Sequence, residues 1–255
     1  MIARCEVLAW DSEFFGCRIG RLGENRLDHA LLAEVDAWCR AEAIDGLYFL
    51  ADSGDPATAA LAEAAGFRLV DLRVTLEGPL TPGPSPLPSL PPGEGGAAGI
   101  RQSRIADIPA LRRIAAASHH DSRFYADPHF DRGRCDELYA TWIEKSCRGE
   151  AADFVLVAEH AGEPAGYISC RREGLGEIGL IGLIAVGSAV RGRGLGGALV
   201  GAALRRLAER GASRARVVTQ GRNARAQRLY QAHGLLTQSI GLWFHRWADR
   251  SREIS

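Results

Sequence analysis

Arg191–Gly192–Arg193–Gly194–Leu195–Gly196 joins an apolar run, Glu177–Val186, to an amphipathic one, Leu195–Arg210. The residue types point to anion chemistry. Glycines let the backbone come close to a ligand. The first amides of a helix starting at Leu195 have no acceptor within that helix and point outward, and its dipole favours negative charge there. Arg191 and Arg193 can add charge-assisted hydrogen bonds. A pyrophosphate suits this loop. The strand two elements earlier is hairpin-linked, unlike the parallel βαβ unit that a G-x-G-x-x-G dinucleotide fingerprint requires, and the Gly-Lys-Ser/Thr of a nucleotide-phosphate loop is absent. The bland alternative is a glycine-rich turn carrying two solvated arginines.

Strands and helices must flank that loop. Phe154–Glu159 and Gly166–Arg171 read as strands around an Ala161–Pro164 turn, and Glu177–Val186 as a long apolar strand. Leu195, Leu199, Ala203 and Leu207 give Leu195–Arg210 one apolar face, closed by Gly211. Arg214–Thr219 and Leu236–Trp247 read as strands, with a helix over Asn223–Ala232 between them. Upstream, Asp107 is expected to cap a helix to Ser118 with Pro109 in its first turn, and Arg134–Arg148 has helical spacing. Residues 78–99 (GPLTPGPSPLPSLPPGEGGAAG) hold almost no core-forming side chains, and their Pro/Gly content predicts a disordered or extended linker. A proline-rich ligand for a partner's aromatic groove is the alternative. Residues 1–77 predict a small α/β unit: strands Arg4–Trp10, Phe15–Leu22, Gly46–Ala51 and Phe67–Leu76, and helices from Asp28 to Ala43 and over Pro56–Ala65. The expected fold is therefore α/β with a mixed sheet. An N-terminal unit (1–77), the linker (78–99), a larger domain (100–247) and a tail (248–255) follow one another.

Composition narrows the function. The 255 residues carry 31 basic and 31 acidic side chains, and 46% are hydrophobic. Zero net charge argues against wholesale nucleic-acid binding and against a charged disordered chain. No apolar run reaches the ~18–20 residues of a membrane span. The N-terminal segment lacks the apolar stretch of a secretory signal, which predicts a cytoplasmic protein. The six cysteines form no C-x-x-C pair, which predicts core thiols in a reducing compartment and no metal site.

The run LIAVGSAVRGRGLGGALVGAAL resembles motif A of the GNAT acyl-CoA acetyltransferases, with Arg191, Gly194 and Gly196 on its Q/R-x-x-G-x-G/A signature. NARAQRLYQAHG resembles motif B, with Asn223 and Tyr230 at the family's places. The pattern covers about residues 100–247. WDSEFFG, SRFYADPHF, YATWIEKSCRG, VVTQGRNARAQRLY and IGLWFHRW extend the likeness to bacterial N-acetyltransferases of dTDP-linked aminosugars, from which the Pro-rich insert departs.

The resemblance implies a GNAT fold and acetyl-CoA as co-substrate. It also implies a nucleotide-sugar acceptor, acetylated on the 4-amino group of dTDP-4-amino-4,6-dideoxy-D-galactose. Ile184, Ala185 and Val186 would hold the pantetheine arm like an added strand, and Arg191, Gly192, Arg193, Gly194, Leu195 and Gly196 the pyrophosphate. Asn223 is expected either to contact the cofactor or only to cap its helix, and Arg228 to reach a phosphate or lie solvated. Tyr230 would protonate the departing thiolate; its alternative is a packed core ring. Glu177, His119, His120 and His129 are the base candidates, with water-mediated deprotonation as the alternative. Phe15, Arg123, Phe124 and Tyr125 are candidates for the sugar nucleotide, aromatics for packing on thymine or sugar and arginine for diphosphate. Other amines remain open (an aminoglycoside, a peptide N-terminus, a polyamine), although the arginine-rich segment 100–135 disfavours cations. An acetyl-CoA-binding protein without turnover is also open. Trp243, Phe244 and Trp247 are candidates either for an exposed edge that pairs subunits into a homodimer or, equally, for the core.

Overall fold

A computed structural model describes residues 4–80, 99–174 and 177–248. The chain opens with β1 (Cys5–Val7), α1 (Ala9–Phe15), β2 (Ile19–Leu22), α2 (His29–Ala41), β3 (Gly46–Asp52), α3 (Pro56–Ala64) and β4 (Arg68–Pro79). Then come β5 (Ile100–Gln102), α4 (Ile108–Ala116), α5 (Arg123–Ala126), α6 (Arg132–Cys147), β6 (Phe154–His160), β7 (Glu163–Glu173) and β8 (Ile178–Val186). α7 (Leu195–Glu209), β9 (Arg214–Gln220), α8 (Ala224–Gln231) and β10 (Leu236–Trp247) complete it.

Among the described residues ten strands share one mixed sheet, in the order β1-β2-β3-β10-β4-β9-β8-β7-β6-β5. Only β2–β3 and β8–β9 are parallel, and each needs a crossover helix, supplied by α2 and α7. The sheet runs straight across the division that composition suggests near residue 78, because β10 inserts between β3 and β4. Of the expected linker, Gly78 and Pro79 extend β4; residues 81–98 lie outside the described residues, as does the tail after Ala248.

Side-chain caps explain half of the described α-helix starts. The side chains of Asp28, Asp55 and Asp131 accept backbone amides at the starts of α2, α3 and α6. Asp107 does not cap α4 as expected. Its carboxylate accepts two hydrogen bonds from Arg101, at 2.7 and 2.9 Å, a bidentate pair stronger than one capping bond. The expected strands Arg4–Trp10 and Phe15–Leu22 shrink to Cys5–Val7 and Ile19–Leu22, with α1 between them. On that helix Trp10 and Phe14, four residues apart, stack at 5.0 Å, and Gly16 ends it in the left-handed region.

Three apolar clusters lie on the sheet. α7 and Tyr230 pack over β6–β9 on one face. α4, α5 and α6 cover an aromatic-rich second region, and α2 and α3 cover β2 and β3. The exposed-edge reading of Trp243, Phe244 and Trp247 fails: β10 is hydrogen-bonded on both sides and Phe244 is buried.

Candidate active site

The site starts from a defect in β8. Opposite β7, Ile168 pairs with Ile184 and Cys170 with Ile181, so Gly182 and Leu183 together face Ser169. This is a β-bulge. A Cβ on Gly182 would lie 2.9 Å from Ser169 Oγ, so glycine there leaves room for the hydroxyl to sit in the bulge. On its other side, β8 is in register with β9 only from Ile178↔Arg214 to Ile181↔Val217. Beyond the bulge the two parallel strands part, and the β9-facing edge of β8 carries no ladder. Such an edge can take an extended chain as an added strand.

The parted strands open onto a cavity of about 570 Å³. Ile184, Ala185, Val186, Arg191, Gly192 and Gly194 line it, with Leu195 and Gly196 at the start of α7. Gly192 and Gly194 have φ of 82° and 78°, a conformation that other residues adopt at a cost. The first intrahelical bond of α7 runs from Ala198 N to Gly194 O, 3.0 Å, so the amides of Leu195, Gly196 and Gly197 precede the helical ladder. Arg191 spends its Nε on the Val186 carbonyl, 3.0 Å away, tying loop to strand. Arg193 is not brought to the cavity; its Nη1 lies 3.4 Å from His160 Nε2.

α8 forms the opposite wall. Asn223, Arg228 and also Arg225 line the cavity. Asn223 Oδ1 accepts the Ala226 amide at 3.0 Å, so the capping reading holds while the residue faces the cavity. His233 binds α8 to α7: its Nδ1 is 2.8 Å from Leu229 O and its Nε2 3.0 Å from Gly197 O. Tyr230 points inward from α8, 3% exposed among the apolar side chains under α7, and is not among the cavity-lining residues. Burial pushes its phenol well above the ordinary value.

Among the base candidates, His119 and His120 line the cavity. Burial pulls His119 down to about 4, and its Nε2 sits 3.0 Å from Tyr167 Oη. His120 is exposed, and Asp121 stands beside it at the rim. His129 is held 2.8 Å from Asp127. Glu177 lies at the opposite end of β8, roughly 23 Å along the strand from Ile184 at ~3.3 Å per residue; it is exposed there and its carbonyl accepts the Ser213 amide.

A second cavity of about 150 Å³ is lined in part by Ser122, Arg123 and Phe124, which follow directly in the chain on Ala117–Asp121 of the first cavity. Arg123 and Phe124 line it, together with Asp71, Arg73, Tyr139 and Trp243. The expected aromatic set divides. Phe15 packs on Phe130 and Phe124, at 4.4 and 5.6 Å, and the Tyr125 hydroxyl donates to Asp136. Both belong to the support beneath the cavity because their rings have better apolar partners there. Asp71, Arg73, Tyr139 and Trp243 escape sequence reasoning, since they come from three elements far apart in the chain, β4, α6 and β10.

A parallel strand pair parted over a glycine-rich helix start is the arrangement of an acyl-CoA-dependent acetyltransferase. The model described as the acetyltransferase (GNAT) family matches residues 114–235. The chain is 32% identical over 250 residues to dTDP-fucosamine acetyltransferase of Escherichia coli O6:H1 (strain CFT073), covering 96% of this chain and 98% of that one. The chain belongs to the GNAT acetyltransferase family. It is also 28% identical over 146 residues to the spore coat polysaccharide biosynthesis protein SpsD of Bacillus subtilis (strain 168), covering 56% of this chain and 49% of that protein. The crystal structure of a GCN5-related N-acetyltransferase from Sphaerobacter thermophilus superposes with a TM-score of 0.63 at 18% identity, over 95% of this chain and 76% of that one, a likeness of fold.

Proposed function

We propose that the protein moves the acetyl group of acetyl-CoA to the 4-amino group of a dTDP-linked aminosugar, dTDP-4-amino-4,6-dideoxy-D-galactose. One observation carries the reading: a cavity combines a free strand edge with a glycine-rich helix start whose first amides are unpaired within the helix, and the segment that lines it runs on into the wall of a second, arginine-bearing cavity. The near-full-length likeness to a relative named for such an acceptor supports it.

The residues present fit the co-substrate. The amides of Leu195, Gly196 and Gly197 and the backbone of Gly192 and Gly194 suit its pyrophosphate, and Arg191, Arg225 and Arg228 stand where phosphate charge needs neutralising. The edge of β8 at Ile184–Val186 suits the pantetheine amides. When bound, acetyl-CoA supplies an activated thioester carbonyl. Tyr230 Oη holds the proton for the departing sulfur; its raised pKa keeps that proton in place across the physiological range. The acceptor amine must be neutral to attack, and His120 and Asp121 stand at the cavity rim as proton acceptors. Holding amine and carbonyl together supplies much of the remaining acceleration.

Incubation of the protein with acetyl-CoA and the dTDP-aminosugar, with thiol release monitored, tests this. Release above background supports it, and its absence rejects it. Turnover of an aminoglycoside, a peptide N-terminus or a polyamine in place of the sugar nucleotide would move the acceptor within the same family. Coenzyme binding without any turnover would mark a sensor.

A further inference from the structure

Arg73 and Arg123 stand together in the smaller cavity, which Asp71 also lines. Among the described residues neither guanidinium has a carboxylate within ion-pair distance, and Arg73 Nε is buried with no hydrogen-bond partner, as is the neighbouring Ser122 Oγ. Asp71, in the same cavity, is turned to others: its Oδ1 accepts the Leu72 amide at 2.8 Å and stands 3.9 Å from Arg222 Nε. Other arginines of the chain are neutralised, Arg101 by Asp107 and Glu159 and Arg216 by Glu77 and Glu173. Burial, followed by the repulsion of Arg123 and Arg21, lowers the pKa of Arg73. Two neighbouring cations that lack an ion pair in a partly desolvated pocket cost stability, and a bound anion offsets that cost.

Arg123 is also held in place. Its guanidinium carbon lies 4.2 Å from the ring centres of Tyr48 and Phe124 and 4.5 Å from that of Trp243. Its Nη1 lies 2.9 Å from His245 Nε2. Arginine can only donate, so Nε2 accepts and the imidazole proton sits on Nδ1. That nitrogen lies 2.6 Å from Asp127 Oδ2, which also accepts the Trp247 indole N–H at 2.8 Å. Asp127 and His245 are both buried. The chain Asp127–His245–Arg123 fixes the imidazole tautomer and, through it, the guanidinium.

We propose that this cavity is the phosphoryl subsite of the acceptor, in which Arg73 and Arg123 grip a diphosphate and Asp127 and His245 act as positioning residues for Arg123. Only the identity of the molecule bearing the diphosphate rests on the reading given under Proposed function.

Coenzyme A carries a pyrophosphate of its own, so the test is run on protein saturated with it. Calorimetric titration of inorganic pyrophosphate into that complex is expected to show one site per chain. Arg73→Gln, at a half-buried position, is expected to weaken binding about tenfold or more, as is Arg123→Gln. His245→Asn keeps a donor for Asp127 but offers Arg123 no acceptor; His245→Gln keeps an acceptor near Nε2. Asn is expected to raise KM for the nucleotide sugar about tenfold with kcat within about threefold, and Gln to restore most of the loss. A purely structural histidine would not separate the two variants in that way. Absence of pyrophosphate binding to the wild-type complex, or binding unchanged by Arg73→Gln, overturns the subsite. Arginine-dependent binding in a protein that does not acetylate the sugar nucleotide keeps the subsite and rejects only the proposed acceptor.

Discussion

The Leu183 amide donates to the side chain of Ser169 over 2.8 Å, where an unbroken antiparallel ladder would have offered it a carbonyl. This bond closes the bulge that parts β8 from β9. Ser169→Ala removes the acceptor and leaves a half-buried amide unpaired, at a cost of about 1–2 kcal/mol. Urea unfolding is expected to show that loss. The Kd for coenzyme A, measured by calorimetry, is expected to rise with it, because the strand edge loses its fixed shape. An unchanged stability and an unchanged Kd together would remove the bulge from the binding site.

Gly194 opens α7 at φ 78°, and Gly149 ends α6 at φ 81°. Alanine at either position costs about 1–2 kcal/mol in backbone strain, so both variants should melt early by a similar margin. Only Gly194→Ala is expected to weaken coenzyme A, since only there does the strained residue set the direction of the free helix amides. Equal affinity in the two variants would contradict the anion-holding role of this helix start.

Much of this architecture was legible in the residues. Period, caps and terminal glycines located α2, α3, α6 and α7 because those signals are local, and the glycine-rich loop that opens α7 was legible because residues 191–196 are contiguous. α1 was missed since Ala9–Phe15 carries bulky aromatics that read as a continuation of a strand. α5 is a single turn, Arg123–Ala126, too short for periodicity. The place of β10 between β3 and β4 depends on pairing across nearly the whole chain, for which sequence carries no spacing rule. The smaller cavity was hidden for the same reason: Arg73, Arg123, Tyr139 and Trp243 meet only after the sheet and α6 have assembled.

His245 gives stability a pH dependence of definite sign. Burial dominates and holds the imidazole down at about 4, against the pull of Asp127, whereas an unfolded histidine titrates near 6.5. The unfolded chain therefore binds the proton first as pH falls. The contribution is present above about 6.5 and drains away toward pH 4, amounting to roughly 3 kcal/mol. His119, held at about 4 by burial, adds in the same direction. Burial alone would raise the Asp127 carboxyl, but bonds from His245, His129 and Trp247 outweigh it and hold it well below the usual range, extending the loss to lower pH. Urea midpoints at pH 7.5 and 4.5 measure the effect; equal midpoints would contradict it.

Asp71 works with the opposite sign. Burial raises its carboxyl to about 6 despite the Leu72 amide and Arg222. A folded pKa above the unfolded one means that the contribution is full below about 4 and lost as pH rises through 6. Asp71→Asn keeps an oxygen for the Leu72 amide and removes the charge. The variant is expected to be more stable than wild type at pH 8, by up to roughly 3 kcal/mol, and indistinguishable from it near pH 4. Parallel unfolding curves at the two pH values decide this; a gain at pH 4 equal to that at pH 8 would show that packing, not ionisation, is responsible.

Tyr230 separates chemistry from packing. Its ring is buried among the side chains beneath α7, so Tyr230→Phe keeps the apolar contacts and removes one oxygen. If that oxygen holds the proton for the departing sulfur, kcat is expected to fall by a factor on the order of 10²–10⁴, the usual worth of general acid catalysis. KM for acetyl-CoA should change little, since no binding contact is lost. The raised phenol pKa adds a sign: the proton stays in place through neutral and moderately alkaline pH, so wild-type kcat should show no descending limb from this group below pH 10. The variant's residual rate should rise with more acidic leaving thiols, which depart without help. Steady-state kinetics of both proteins with acetyl-CoA and a lower-pKa thioester make the comparison, and equal kcat for Tyr and Phe would reduce residue 230 to a core ring.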